Sequence, residues 1–216
     1  MTILSPLFLS LILLQNTQVE SRDLQAAMFL GARSAKMQRS LPVLSQVVLV
    51  PDEATYLDEI SRWSTAERWP ILFDEEPFAS QFIRRFSPEQ VWRRKSVGRG
   101  TKDKQHAMEL AVARAWGDDS SIESALTKLK IPPTGVVFTN TKDPARTAAV
   151  ALAAGRGQLL SFIPLEWGNS NDILGQSQTS ELLQTIDAEL RSTGLNYSNL
   201  GDTVDAITLC QTMPSR

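Results

Sequence analysis

The chain has 216 residues, 42% hydrophobic and 21% charged, with 11 Gly and 11 Pro. That length buries one substantial core or two small ones, and the composition excludes a disordered or fibrous chain. The formal net charge of -2 provides no global attraction for nucleic acid, and a single cysteine, Cys210, excludes an intramolecular disulfide.

From Ile3 to Leu14 the chain is almost wholly apolar, and Val19-Glu20-Ser21 has the small or aliphatic residues that a signal peptidase reads. The expectation is a secretory signal over residues 1–21, cut after Ser21, and a secreted, periplasmic or envelope-bound product. The alternative is a cytoplasmic chain whose first apolar run is a buried element. The run is too short for a transmembrane span, which needs about 20 apolar residues.

Arg22 to Gln38 has helix-forming composition, and Ser40-Leu41-Pro42 ends it. Val43 to Val50 is a β-branched run closed by Pro51-Asp52, the profile of a strand buried on both faces. Ala54, Leu57, Ile60 and Trp63 recur at helical spacing within a helix predicted over 54–67. Trp69 to Phe73 is a second strand. A short helix follows with Phe78, Phe82, Ile83 and Phe86, ended by Ser87-Pro88. Val91 to Val97 reads as an edge strand, because Arg93, Arg94 and Lys95 are too polar for a sheet centre.

Helices are predicted over 102–116 and 121–130, then strand 135–139, helix 144–154 and strand 159–165. A helix over 180–191 and a strand over 204–209 complete the pattern. A buried parallel strand normally continues into a covering helix, so this last strand lies at an edge or the chain is truncated at Arg216.

Val47 to Phe73 is answered by Val136 to Phe162, in the manner of an internal repeat. Each stretch reads as strand, acidic turn, helix and strand. The expected fold is α/β, a three-layer sandwich with a mostly parallel sheet, Rossmann-like or flavodoxin-like, with two related βαβ halves over 22–117 and 118–216. The preferred version has both halves sharing or abutting one sheet.

In open α/β sheets ligands bind beyond the carboxyl ends of the strands. That rule selects an acidic rim of Asp52, Asp74 and Asp143 with their neighbours, able to serve acid-base or metal-assisted hydrolysis. The competing role for these residues is helix capping. A second candidate is the basic stretch Arg93, Arg94 and Lys95, followed by Gly98-Arg99-Gly100-Thr101-Lys102 at a strand-to-helix turn, where free amides and the helix dipole favour an anion. It lacks the spacing of a phosphate loop or a dinucleotide fingerprint. A third is a Cys-His pair, His106 and Cys210, each the only residue of its type. No His or Cys cluster points to zinc, and no metal or cofactor is expected.

The run Val47-Val48-Leu49-Val50 with Asp52, the small-residue helix at Ala148 to Ala154, Pro70-Ile71-Leu72-Phe73, and Val91 leading to Val97-Gly98-Arg99-Gly100 resemble the cell-wall-binding repeats of bacterial surface-layer proteins. The resemblance implies a flavodoxin-like repeat fold and noncatalytic attachment to an anionic wall polymer. The functional expectation is therefore an exported binding module for an anionic cell-envelope polymer or phosphate-bearing ligand, with a hydrolase as the alternative.

Overall fold

The β-branched run ending at Val50 becomes strand β1 (Gln46–Val50), whose last four residues are buried. Helices cover both of its faces, so no polar side is needed. The computed structural model describes residues 43–98, 100–131, 133, 135–163, 176–192 and 206–210. After β1 come α1 (Glu53–Ile60), β2 (Ile71–Phe73), α2 (Phe78–Phe86), β3 (Gln90–Arg93), α3 (Lys104–Arg114) and α4 (Ile122–Leu129). The second half follows with β4 (Gly135–Thr139), α5 (Arg146–Arg156), β5 (Leu159–Phe162), α6 (Gln176–Ser192) and β6 (Ala206–Leu209).

The repeat is visible in the topology. One sheet has the order β2-β1-β3 and the other β5-β4-β6, all strands parallel. Each copy is thus a βαβαβ unit with its first strand in the middle. Val48 pairs with Ile71 and Val136 with Leu159, the same spacing of 23 residues in both copies.

Strand alternation decides what each sheet face meets. Val47 and Leu49 face α2, where Ala79 is buried and Leu72 and Ile83 pack alongside. Val48 and Val50 face the opposite way, into a core shared with Tyr56 and Ile60 of α1 and Met108 and Val112 of α3. The same core holds Phe138 of β4 and Ala149 and Ala153 of α5. Each fully buried Val, Leu or Phe contributes about 1.5–3 kcal/mol. The helices α1, α3 and α5 pack on one another, with α4 against α3. On the second sheet, Ser161 of β5 donates to Glu189 of α6 at 3.4 Å.

The α/β class with parallel strands is as expected, and the single shared sheet is not. Among the described residues the strands form two separate sheets. The reason is the helical layer: small residues such as Ala111, Ala149 and Ala153 let α1, α3 and α5 approach closely, and each sheet buries its inner face on that layer.

The helix predicted over 54–67 stops at Ile60. Beyond it, the Ser64 hydroxyl accepts from the amides of Ala66 and Glu67 at 3.2 and 3.1 Å, a local turn that competes with helical bonding. The strand predicted to run to Val97 ends at Arg93, and all four of its residues are exposed at the sheet edge. Shorter revisions apply to the starts of α3 and α5 at Lys104 and Arg146. The expected signal segment, the helix over 22–38 and Arg99 lie outside the described residues. No helix among the described residues is long and apolar enough to cross a membrane.

Candidate ligand cavity

In the first sheet β1 runs to β2 through α1 on one face, and β2 returns to β3 through α2 on the other. The two connections part between β1 and β3, which makes that pair the switch point where a crevice opens at the carboxyl ends. A cavity of about 550 Å³ begins beside the residues that follow β1 and β3 and runs along the groove between α1 and α3 as far as Ser61 and Arg114. Leu57, Ala107 and Leu110 supply an apolar lining, while Asp52, Glu53, Asp58, Thr101, Lys104 and His106 supply polar groups.

The segment after β3 is strapped across α1. The Val97 amide donates to Thr55 Oγ1 at 3.1 Å, and the Gly98 amide donates to Ser96 Oγ at 3.2 Å. Gly98 holds φ at +96°, a conformation that side-chain-bearing residues rarely adopt. Thr101 Oγ1 donates to the Asp103 carbonyl at 2.7 Å, and Asp103 caps α3 by accepting from the His106 amide at 3.0 Å. Two helix starts, those of α1 and α3, therefore border one cavity.

Asp52 caps α1, accepting from the Thr55 amide and hydroxyl, each at 2.8 Å. A hydrogen bond from the Ser96 side chain, then those from Thr55, hold its carboxyl below the ordinary value. Beside it, Glu53 takes the Arg146 guanidinium at 2.5 and 2.7 Å and lies 3.4 Å from Lys104 Nζ. The Arg146 hydrogen bond lowers its pKa against the opposing effect of burial.

The cavity brings together candidates that the sequence had kept apart: Asp52 from the acidic rim, Gly98, Gly100 and Thr101 from the basic turn, and His106. Asp74 and Asp143 do not line it. Asp74 instead takes Arg93 at 3.0 Å, and Asp143 accepts from the Ala145 amide at 2.7 Å at the start of α5. Asp52 thus does the capping work weighed as its competing role, whereas α5 has no side-chain cap and Asp143 closes a turn ahead of it.

Arg93 and Arg94 are ion-paired rather than free. Arg94 meets Glu59 through two bonds of 2.9 and 3.0 Å, and Glu59 is only 1% exposed and also accepts from Trp69 Nε1 at 3.1 Å. Both guanidinium pKa values are raised by these carboxylates. Lys95 and Lys102 are exposed.

Cys210 sits at the matching edge of the second copy, its Sγ 3.5 Å from the Ala145 carbonyl. Burial, and secondarily the Asp143 charge, push its thiol pKa up, opposite to what a nucleophile needs. It does not line the cavity that contains His106. Among the described residues no group of three or more His, Cys, Asp or Glu side chains is placed to hold a metal ion.

Glu53 belongs to the acidic rim and Lys104 to the basic stretch, but Arg146 was not selected from the sequence and Leu57 was read only as part of a packed helical face. Nothing in the spacing links Glu53 to Arg146, 93 positions apart. Fold and cavity define an α/β protein of two βαβαβ units with a groove between α1 and α3. No family model matches the chain, and neither a curated protein nor a solved structure matches it.

Proposed function

We propose that the chain is an exported, noncatalytic binding module whose first copy, a flavodoxin-like unit, takes a phosphate-bearing segment of an anionic cell-envelope polymer. The observation carrying this reading is the groove of about 550 Å³ between α1 and α3, bordered by the starts of both helices, where Gly98, Thr101 and Lys104 share the walls with Asp52, Glu53 and Asp58. The resemblance of both copies to cell-wall-binding repeats agrees with it, and the Ile3 to Ser21 segment supplies the reason for export.

In this reading Lys95, Lys102 and Lys104 meet the polymer. Arg93 and Arg94 hold the strap in place through Asp74 and Glu59. Leu57 and Leu110 contact the apolar part of the repeating unit.

The test is retention of the full chain on immobilised poly(glycerol phosphate) across a salt series. Retention is expected at low salt and is expected to fall as salt rises. Replacing Lys95, Lys102 and Lys104 together by Gln weakens retention and flattens its salt dependence, whereas Lys130→Gln on the distant end of α4 does neither. No retention at low salt, or equal retention of the triple variant, overturns the reading.

A further inference from the structure

Helix α2 is amphipathic in an unusual direction. Ala79 and Ile83 face Val47 and Leu49, yet Phe78, Phe82 and Phe86 are 72%, 37% and 37% exposed. Fourth-residue spacing places these three on one row beside the buried one, spanning about 12 Å of helix. The rings of Phe82 and Phe86 stack at 5.5 Å. Val91 of the open edge strand β3 is exposed on the same side of the sheet, since its partner Val47 faces α2. Scattered exposed apolar residues need no explanation, but a contiguous aromatic row marks a contact surface.

The fold does not require this row. Helix α6 holds the corresponding place in the second copy, between its second and third strands, and its sequence contains no aromatic residue. The row belongs to the first copy alone.

Charge selects the occupant. The acidic run Asp74-Glu75-Glu76 precedes α2, and Arg84 and Arg85 stand in its last turn, all exposed. Asp74 is engaged by Arg93, which leaves Glu75 and Glu76 at one end; at the other, helical spacing puts Arg85 beside the phenylalanine row and Arg84 on the far side of the helix. Such a surface is complementary to itself when turned end for end: a two-fold axis brings the acidic end of each helix toward the basic end of its mate. Parallel pairing would set like charges together. We propose that a second copy of this chain docks here, with the two α2 helices antiparallel and the phenylalanine rows packed between them. The proposal is independent of the polymer reading.

The mass of the full chain in solution, followed by light scattering or sedimentation over a concentration series, is expected to double from one chain to two. Phe78→Ser combined with Phe82→Ser returns it to one chain with unchanged far-ultraviolet circular dichroism, because Phe78 is 72% exposed and Phe82, at 37%, lies outside the buried cluster of Val47, Leu49 and Ala79. Arg84→Glu with Arg85→Glu also gives one chain, and adding Glu75→Arg with Glu76→Arg to that variant restores two. A one-chain mass at every concentration overturns the proposal. Two chains in the phenylalanine variant, or no restoration by the compensating reversal, overturns it equally.

Discussion

Glu53 and Arg146 are the first residues of the two crossover helices, α1 and α5, and they are ion-paired to each other at 2.5 and 2.7 Å. At the opposite end of α5, Arg68 from the first copy donates to the Gly155 carbonyl and lies over the Trp116 ring at 4.8 Å. Both ends of α5 are therefore held by residues of the first copy.

Glu53→Gln should destabilise the chain by about 1.5–3 kcal/mol, the range for hydrogen bonds to charged groups that are removed from one side. Arg146→Gln should do the same. Because one interaction is lost in either case, the double variant should cost less than the sum of the two. Urea denaturation of the four proteins measures this directly, and strict additivity would contradict the pairing.

Acid should weaken the fold. Asp52, Glu53 and Asp118 have carboxyl pKa values below the ordinary 3.8, 4.5 and 3.8. For Asp118 the causes are Lys128 first, then Ser120 and Ser124. The unfolded chain therefore binds more protons than the folded one in this range. Their contribution is complete above the ordinary values and disappears as pH falls through the lower folded ones. The urea midpoint should accordingly drop below pH about 5, and Asp118→Asn should flatten that dependence. A midpoint independent of pH in this window would contradict the assignment.

The two glycines at the end of α5 should respond with opposite signs. At Gly157, φ is +64° and a Cβ would stand 2.8 Å from Trp116 Cζ2. The indole cannot yield, since its Nε1 donates to the Ala154 carbonyl at 2.8 Å. Left-handed strain of about 1–2 kcal/mol adds to overpacking of about 1–3 kcal/mol, so Gly157→Ala should lose about 2–5 kcal/mol. Gly155 is helical with open space around it, and Gly155→Ala should gain about 0.5–1 kcal/mol. Chemical denaturation at constant m-value separates the two.

Arg94 and Glu59 should prove unequal partners. Removing Arg94 strands a carboxylate that is 1% exposed, although Arg62 at 3.7 Å and Trp69 still attend it. Removing the carboxylate leaves an arginine side chain that is 38% exposed and can reach water. Arg94→Met should therefore cost about 3–5 kcal/mol and Glu59→Gln roughly 1–3 kcal/mol. The reverse order in thermal or urea unfolding would contradict this reading of the pair.

The strands were legible because burial on both faces leaves a local mark. Val47 to Val50 and Val136 to Phe138 are apolar without alternation, and their followers recur at equal distance. The end of α1 was not legible, since Trp63 continues the apolar spacing while Ser64 ends the helix through its own hydrogen bonds. The basic stretch looked like one anion site because sequence lists charges without their partners. In the fold Arg93 and Arg94 are taken by Asp74 and Glu59, and of that stretch Gly98, Gly100, Thr101 and Lys104 line the cavity, together with Asp52, Glu53 and Asp58.

By itself the sequence determined the α/β class and the order of the strands and helices, both of which rest on periodicities read within a few neighbouring residues. Only the tertiary structure decided that there are two sheets, which carboxylates cap and which pair, and where the cavity opens. Those outcomes depend on partners such as Glu59 with Arg94 and Glu53 with Arg146, separated by 35 and 93 positions. Nothing local in the chain encodes such distances, because they are set by how the helical layer packs between the sheets.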